Sequence, residues 1–209
     1  MDVEQRATDR ESHIRSGRRL EYFTIAYNCM EGVISIVSGL IAGSVSLIGF
    51  GIDSMIEVTS GAALLWRLSR DFDAGRREAA ERTALRIVGL CFLALAIYIV
   101  YDSGAMLLHR EAPDRSIPGI AIAALSVVVM PLLAKAKRRV AASINSAAMR
   151  ADSRQTDFCT YLSAILLVGL LLNALLGWWW ADPVSALVMA PIIANEGIQA
   201  LRGESCCKD

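Results

Sequence analysis

Asp53 and Glu57 stand four residues apart in Gly49-Phe50-Gly51-Ile52-Asp53-Ser54-Met55-Ile56-Glu57, within a largely apolar stretch. At 3.6 residues per turn, that spacing puts both carboxylates on one helix face, a turn apart. Like charges at that separation repel, and withdrawal from water penalises each of them. A bridging divalent cation removes both penalties, and so does a shared proton. A pair that trades metal for protons is an antiporter site in outline. The structural alternative is that the two acids cap neighbouring helices or pair with Arg across a bundle. No Lys or Arg lies deep in an apolar stretch, so ion pairing has few partners.

A second set lies further along, in Ala151-Asp152-Ser153-Arg154-Gln155-Thr156-Asp157. Ser153 precedes Asp157 by four and shares its helix face, whereas Asp152 is turned about 140° away. Asp157 is the expected second-helix ligand and Ser153 the weaker fourth. The alternative for Asp157 is a solvated carboxylate near the cytosolic interface. Asn28 and Glu31 are near-neighbours three apart, and Glu31 reads either as a proton carrier or outer ligand, or as a hydrogen-bonding group. Asn173 reads as packing, and Asp102, Asn195 and Glu196 as solvated span ends.

The two histidines, His13 and His109, fall in a tail and an outer loop, so neither is a midplane ligand. Oxygen donors then dominate, which suits Mn²⁺ or Fe²⁺, although Zn²⁺ and Co²⁺ also accept carboxylates. Cys159 faces away from Asp157, and Cys29 and Cys91 read as small apolar residues. Cys206-Cys207, beside Glu204 and Asp209, predict an unstructured tail rather than a soft-metal site.

The elements that must hold these groups are membrane helices. Of 209 residues 55% are hydrophobic, and the 21 Lys and Arg balance the 21 Asp and Glu. A neutral chain lacks the basic excess of a nucleic-acid binder. Six apolar stretches run over about Tyr22–Ala42, Ser46–Leu68, Ala84–Leu107, Ile117–Ala134, Phe158–Gly177 (with a polar start near Ala147) and Pro183–Leu201. Such lengths suit a hydrocarbon core of roughly 30 Å. The alternating segments of a barrel are absent. Of the Lys and Arg residues all but Arg110 and Arg115 fall on one side, which the positive-inside rule makes the cytoplasm, with both termini there. Trp178, Trp179 and Trp180 then mark the outer interface. The charged first twenty residues lack the apolar core of a cleavable signal peptide. Gly43-Ser44-Val45 and the turn to Asp182-Pro183 predict two tight hairpins, and Gly39 with Gly43 forms a small-xxx-small pair.

With these residues in view, the chain resembles the cation diffusion facilitator family over about Glu21 to Gly203. Ser46 through Glu57 resembles that family's helix-two signature, with Asp53 and Glu57 at ligand positions. Ala151-Asp152-Ser153 through Asp157 resembles the start of helix five, and Trp180 to Leu187 the turn into helix six. The resemblance implies six helices, cytosolic termini, and a metal site built from ligand pairs four apart on helices two and five. Two departures stand out. Ser153 occupies the place where the family usually carries His or Asp, and the family's cytosolic C-terminal metal-binding domain has no counterpart here.

The expected architecture is an all-α membrane protein, a six-helix bundle at 21–203 with cytosolic tails at 1–20 and 204–209. The expected function is divalent metal efflux by metal/proton antiport in a bacterial inner membrane, without a resident cofactor. Asp53, Glu57, Ser153 and Asp157 are the expected metal ligands, and Zn²⁺, Mn²⁺, Fe²⁺ or Co²⁺ the expected cargo. The expected partners are protons, the lipid bilayer and a second copy in a homodimer. The rivals are a non-transporting metal-binding or interaction subunit and an intramembrane aspartyl hydrolase using Asp53 and Asp157.

Overall fold

Six helices are built from the apolar stretches, and turn chemistry separates them. The computed structural model describes residues 3–69, 74–144 and 147–202, with side chains over 15–62, 65, 86–143, 149–150 and 152–202. The helices are α1 (Val3–Ala42), α2 (Val45–Ser69), α3 (Ala74–His109), α4 (Ile117–Ile144), α5 (Ala147–Leu176) and α6 (Ala181–Arg202). Cys206 and Cys207 lie outside the described residues.

Glycine at positive φ ends both hairpin-forming helices. Gly43 (φ 64°) follows α1, where Ser44 N–H returns to the Gly39 carbonyl at 3.0 Å, and Gly177 (φ 67°) follows α5. Only glycine takes that conformation at no steric cost. Ser44 then caps α2, accepting from Leu47 N–H at 3.2 Å, and Ser116 caps α4 by accepting from Gly119 N–H at 3.1 Å. The expected small-residue pair divides its labour. Gly39 meets Ile48 of α2, so it is a packing glycine, whereas Gly43 is the turn.

Several helices outrun the apolar windows. Residues 3–20, expected as a separate tail, belong to α1, and α4 continues ten residues past Ala134 to Ile144. Arg, Lys, Glu and Ala are good helix formers, so the helix has no reason to stop where hydropathy does. Among the described residues five helices are long and apolar enough to cross a membrane, at 15–42, 86–109, 117–143, 152–176 and 181–202. α2 runs 25 residues, Val45–Ser69, and its side chains are described only over 45–62 and 65.

α1 lies along α2, α4 along α5 and α3 along α6; α1 also packs on α4, while α2 reaches α3, α5 and α6. One apolar core, with Phe50, Ile99, Leu166 and Met189, joins α2, α3, α5 and α6. A smaller one of Tyr27, Met130, Leu133 and Cys159 joins α1, α4 and α5. Outward-facing Leu40, Ile41, Leu108, Ile117 and Leu175 are strongly exposed, as lipid-facing side chains are. Trp178 and Trp180 stack with centroids 5.0 Å apart at the α5–α6 turn.

Candidate metal centre

α2 is fixed at its start by an acid from another helix. Asp182, fully buried in the first turn of α6, accepts from the Ser44 hydroxyl at 2.6 Å, from the Ser46 hydroxyl and from Ser46 N–H at 3.5 Å. A carboxylate at a helix N-terminus meets both free N–H groups and the positive end of the helix dipole. This anchor sets the rotation of α2, and with it the direction of Asp53 and Glu57 two to three turns on.

Both carboxylates point inward, Asp53 being 5% and Glu57 7% exposed. Glu57 Oε2 accepts from Asn28 Nδ2 of α1 at 2.7 Å, while Asn28 Oδ1 is buried without a hydrogen-bond partner. Asp53 Oδ2 accepts from Cys159 Sγ of α5 at 3.5 Å. Glu31, fully buried on α1, accepts from the Ser54 hydroxyl of α2 at 2.8 Å and from the Ser126 hydroxyl of α4. Tyr27 O–H lies 2.8 Å from Ser126 Oγ. Asn28 and Glu31 thus both reach this centre, one holding Glu57 and the other beside Ser54. Every observed partner of the three acids is a neutral donor, and none of them joins an ion pair among the described residues.

The α5 residues are arranged differently from the expectation. Asp157 turns to α4, where it pairs with Arg138, and its side chain is 30% exposed. Because α4 extends to Ile144, it carries Arg138 alongside α5. The buried Ser153 donates its hydroxyl to the Arg150 carbonyl of its own helix at 2.7 Å. Among the described residues Asp53 and Asp157 have different partners, Cys159 and Arg138, and no hydrogen bond joins the two. Among the described residues, the α5 side chains that hydrogen-bond to α2 are Cys159, on Asp53, and Gln155, whose Oε1 accepts from the Ser60 hydroxyl at 3.0 Å. Sequence reasoning passed over Gln155, and the usable signal was its four-residue spacing from Cys159.

A second polar cluster joins the same helices. Lys137, 1% exposed, donates to Asp152 at 2.5 Å and to Glu21 at 3.3 Å. Expected as a topogenic flanking charge, Lys137 is instead a buried tie between α1, α4 and α5. Glu196, expected as solvated, is part-buried, and its Oε1 has no hydrogen-bond partner. Asn173 donates to the Pro113 carbonyl at 3.0 Å, and Asp102 accepts from Tyr98 O–H at 3.3 Å at the surface. Among the described residues no three His, Cys, Asp or Glu side chains converge closely enough to hold an ion.

Residues 23–203 match the cation efflux transmembrane domain family. An uncharacterized transporter of Synechocystis is 28% identical over 170 residues, 78% of this chain and 54% of that protein. The cation-efflux pump FieF of Shewanella oneidensis is 26% identical over 174 residues, 78% of this chain and 57% of that one. An uncharacterized transporter of Methanocaldococcus jannaschii is 26% identical over 178 residues, 82% of this chain and 62% of that one. The chain therefore spans little more than half the length of these curated relatives.

Proposed function

The chain belongs to the cation efflux transmembrane domain family, and on that premise we propose that it exports a divalent metal cation from the cytoplasm in exchange for protons. The observation that carries the proposal is the set of three buried carboxylates, Asp53, Glu57 and Glu31, whose partners are neutral donors alone. Buried charge needs compensation. When it is not supplied by the chain, a mobile cation or a proton supplies it. Carboxylates relieved of metal at close quarters rebind protons, which couples the two flows.

Asp53 and Glu57 are the proposed binding pair. Asp157, held by Arg138, and Ser153, held by its own backbone, stand outside the pair in this conformation. Six spans, cytosolic termini and a bacterial inner membrane complete the proposal, supported by the one-sided placement of Lys and Arg. Homodimer assembly rests on the family resemblance. The deciding experiment measures metal-driven proton flux in proteoliposomes carrying the purified chain. Asp53→Ala abolishes the flux; unchanged flux would remove Asp53 from the site.

A further inference from the structure

We infer that Cys159, with Gln155, forms the α5 half of the metal centre, and that its thiol makes the centre select thiophilic cations, Zn²⁺ and Cd²⁺, over Mn²⁺. This deepens the transport reading above and rests on it.

The geometry comes first. Cys159 and Gln155 are four residues apart, hence on one face of α5, and that face meets the α2 face that carries Asp53. The two contacts run in opposite senses along the chain: Asp53 meets Cys159, and Ser60, further along α2, meets Gln155, earlier on α5. Glu57 falls between Asp53 and Ser60, and so at the level of the interval between Cys159 and Gln155. Two pairs of potential donors, each pair one helical turn apart, are thereby set against each other. The charged groups surrounding Cys159 are Glu57, Asp53 and Glu31.

Cys159, 1% exposed, packs with Tyr27, Met130 and Leu133, yet its sulfur also lies on the Asp53 carboxylate, a polar contact that packing alone does not call for. A second and independent sign of a ligand is on α1. Asn28 is fully buried, its Nδ2 holds Glu57, and its Oδ1 is orphaned beside the same carboxylate. A buried amide oxygen without a donor is costly, and a cation is the partner that satisfies it without one. Asp53, Glu57, Cys159 and one amide oxygen, from Gln155 or Asn28, supply one sulfur and three oxygens, enough for a four-coordinate ion.

The donors do not yet converge, and capture requires two exchanges. Glu57 leaves Asn28 Nδ2, and the sulfur leaves Asp53. The S–H bond breaks, its proton is released to water, and the thiolate lone pair forms the bond to the metal. A thiolate is a soft ligand, favouring Zn²⁺ and Cd²⁺ over the hard, oxygen-preferring Mn²⁺. Selectivity expected from an all-oxygen set is thereby reversed.

The test uses the full chain with Cys29, Cys91, Cys206 and Cys207 changed to Ser, so that Cys159 is the lone thiol. Co²⁺ added to this protein gives a thiolate-to-metal charge-transfer band in the near ultraviolet, and Cys159→Ser removes it. In proteoliposomes the Mn²⁺-to-Cd²⁺ uptake ratio rises at least tenfold in Cys159→Ser. The ratio is taken on one preparation, so a smaller folded fraction cancels. A persisting band or an unchanged ratio overturns the Cys159 assignment while leaving the transport reading in place. If the parent chain gives no metal-driven proton flux, the transport reading falls, and this inference falls with it.

Discussion

Two buried acidic clusters lie within the same helices and differ in one component. Glu21, Lys137 and Asp152 tie α1, α4 and α5 together around a lysine that belongs to the chain. Asp53, Glu57 and Glu31 are equally withdrawn from solvent, yet Asn28, Cys159, Ser54 and Ser126 give them only neutral hydrogen bonds. A resident cation makes the first cluster permanent, because losing it would strand two acids in a low dielectric. The second cluster has the same need, and Lys137 acts on its Glu57 only through space, its ion pairs going to Glu21 and Asp152. The difference teaches where a transported ion belongs: at the acids the fold leaves uncompensated, rather than at the acids it has already paired.

The largest effect should come from breaking the first cluster. Lys137→Met leaves Glu21 and Asp152 buried without their partner, which costs about 3–5 kcal/mol. The expected outcome is a lower unfolding midpoint in detergent, with the metal preference of the surviving folded protein unchanged. A shift in metal preference without loss of stability would reverse the roles of the two clusters.

The converse change gives the second cluster a cation of its own. Asn28→Lys places an ammonium where the amide now holds Glu57 at 2.7 Å. Metal uptake should fall by about 100-fold, the upper range for losing a partner that orients a ligand. Unfolding in detergent should change little, because the new charge pairs with an acid already present. Uptake that survives Asn28→Lys would mean that the ion does not need Glu57.

How far these clusters could be read from sequence depends on the element. The α2 pair was legible, because carboxylates four apart in an apolar run have one geometric meaning. The hairpin at Gly43 was legible too, since a glycine between two apolar runs is turn chemistry. The orientation of α5 was not. A membrane helix is apolar toward lipid and toward core alike, so its periodicity does not reveal which face turns inward. Charge was then the remaining guide, and it pointed to Asp157, which the structure gives to Arg138. Cys159 was read as facing away from Asp157, and the structure gives the consequence: facing away from Asp157 means facing α2. Lys137 escaped for another reason. Hydropathy ends near Ala134, but α4 does not, and its last turns carry a lysine back into the protein.

The smallest effect distinguishes Glu31 from the acids that hold the ion. Glu31 is fully buried, but it is engaged by two hydroxyls from different helices, Ser54 and Ser126, and so is less free to turn onto an ion than Asp53 or Glu57. Its contribution is then one of charge. Glu31→Gln keeps the size and the hydrogen-bonding capacity while removing one of three negative charges, which should weaken metal binding by roughly tenfold. The sign with pH follows from competition: as pH falls, protons occupy the carboxylates and metal affinity declines. With one fewer carboxylate able to take a proton, the decline should be shallower in Glu31→Gln than in the parent chain. Metal titrations of the detergent-purified protein at several pH values read both quantities at once. A loss as large as that from Asp53→Ala would make Glu31 a ligand, whereas parallel pH slopes would remove it from the proton exchange.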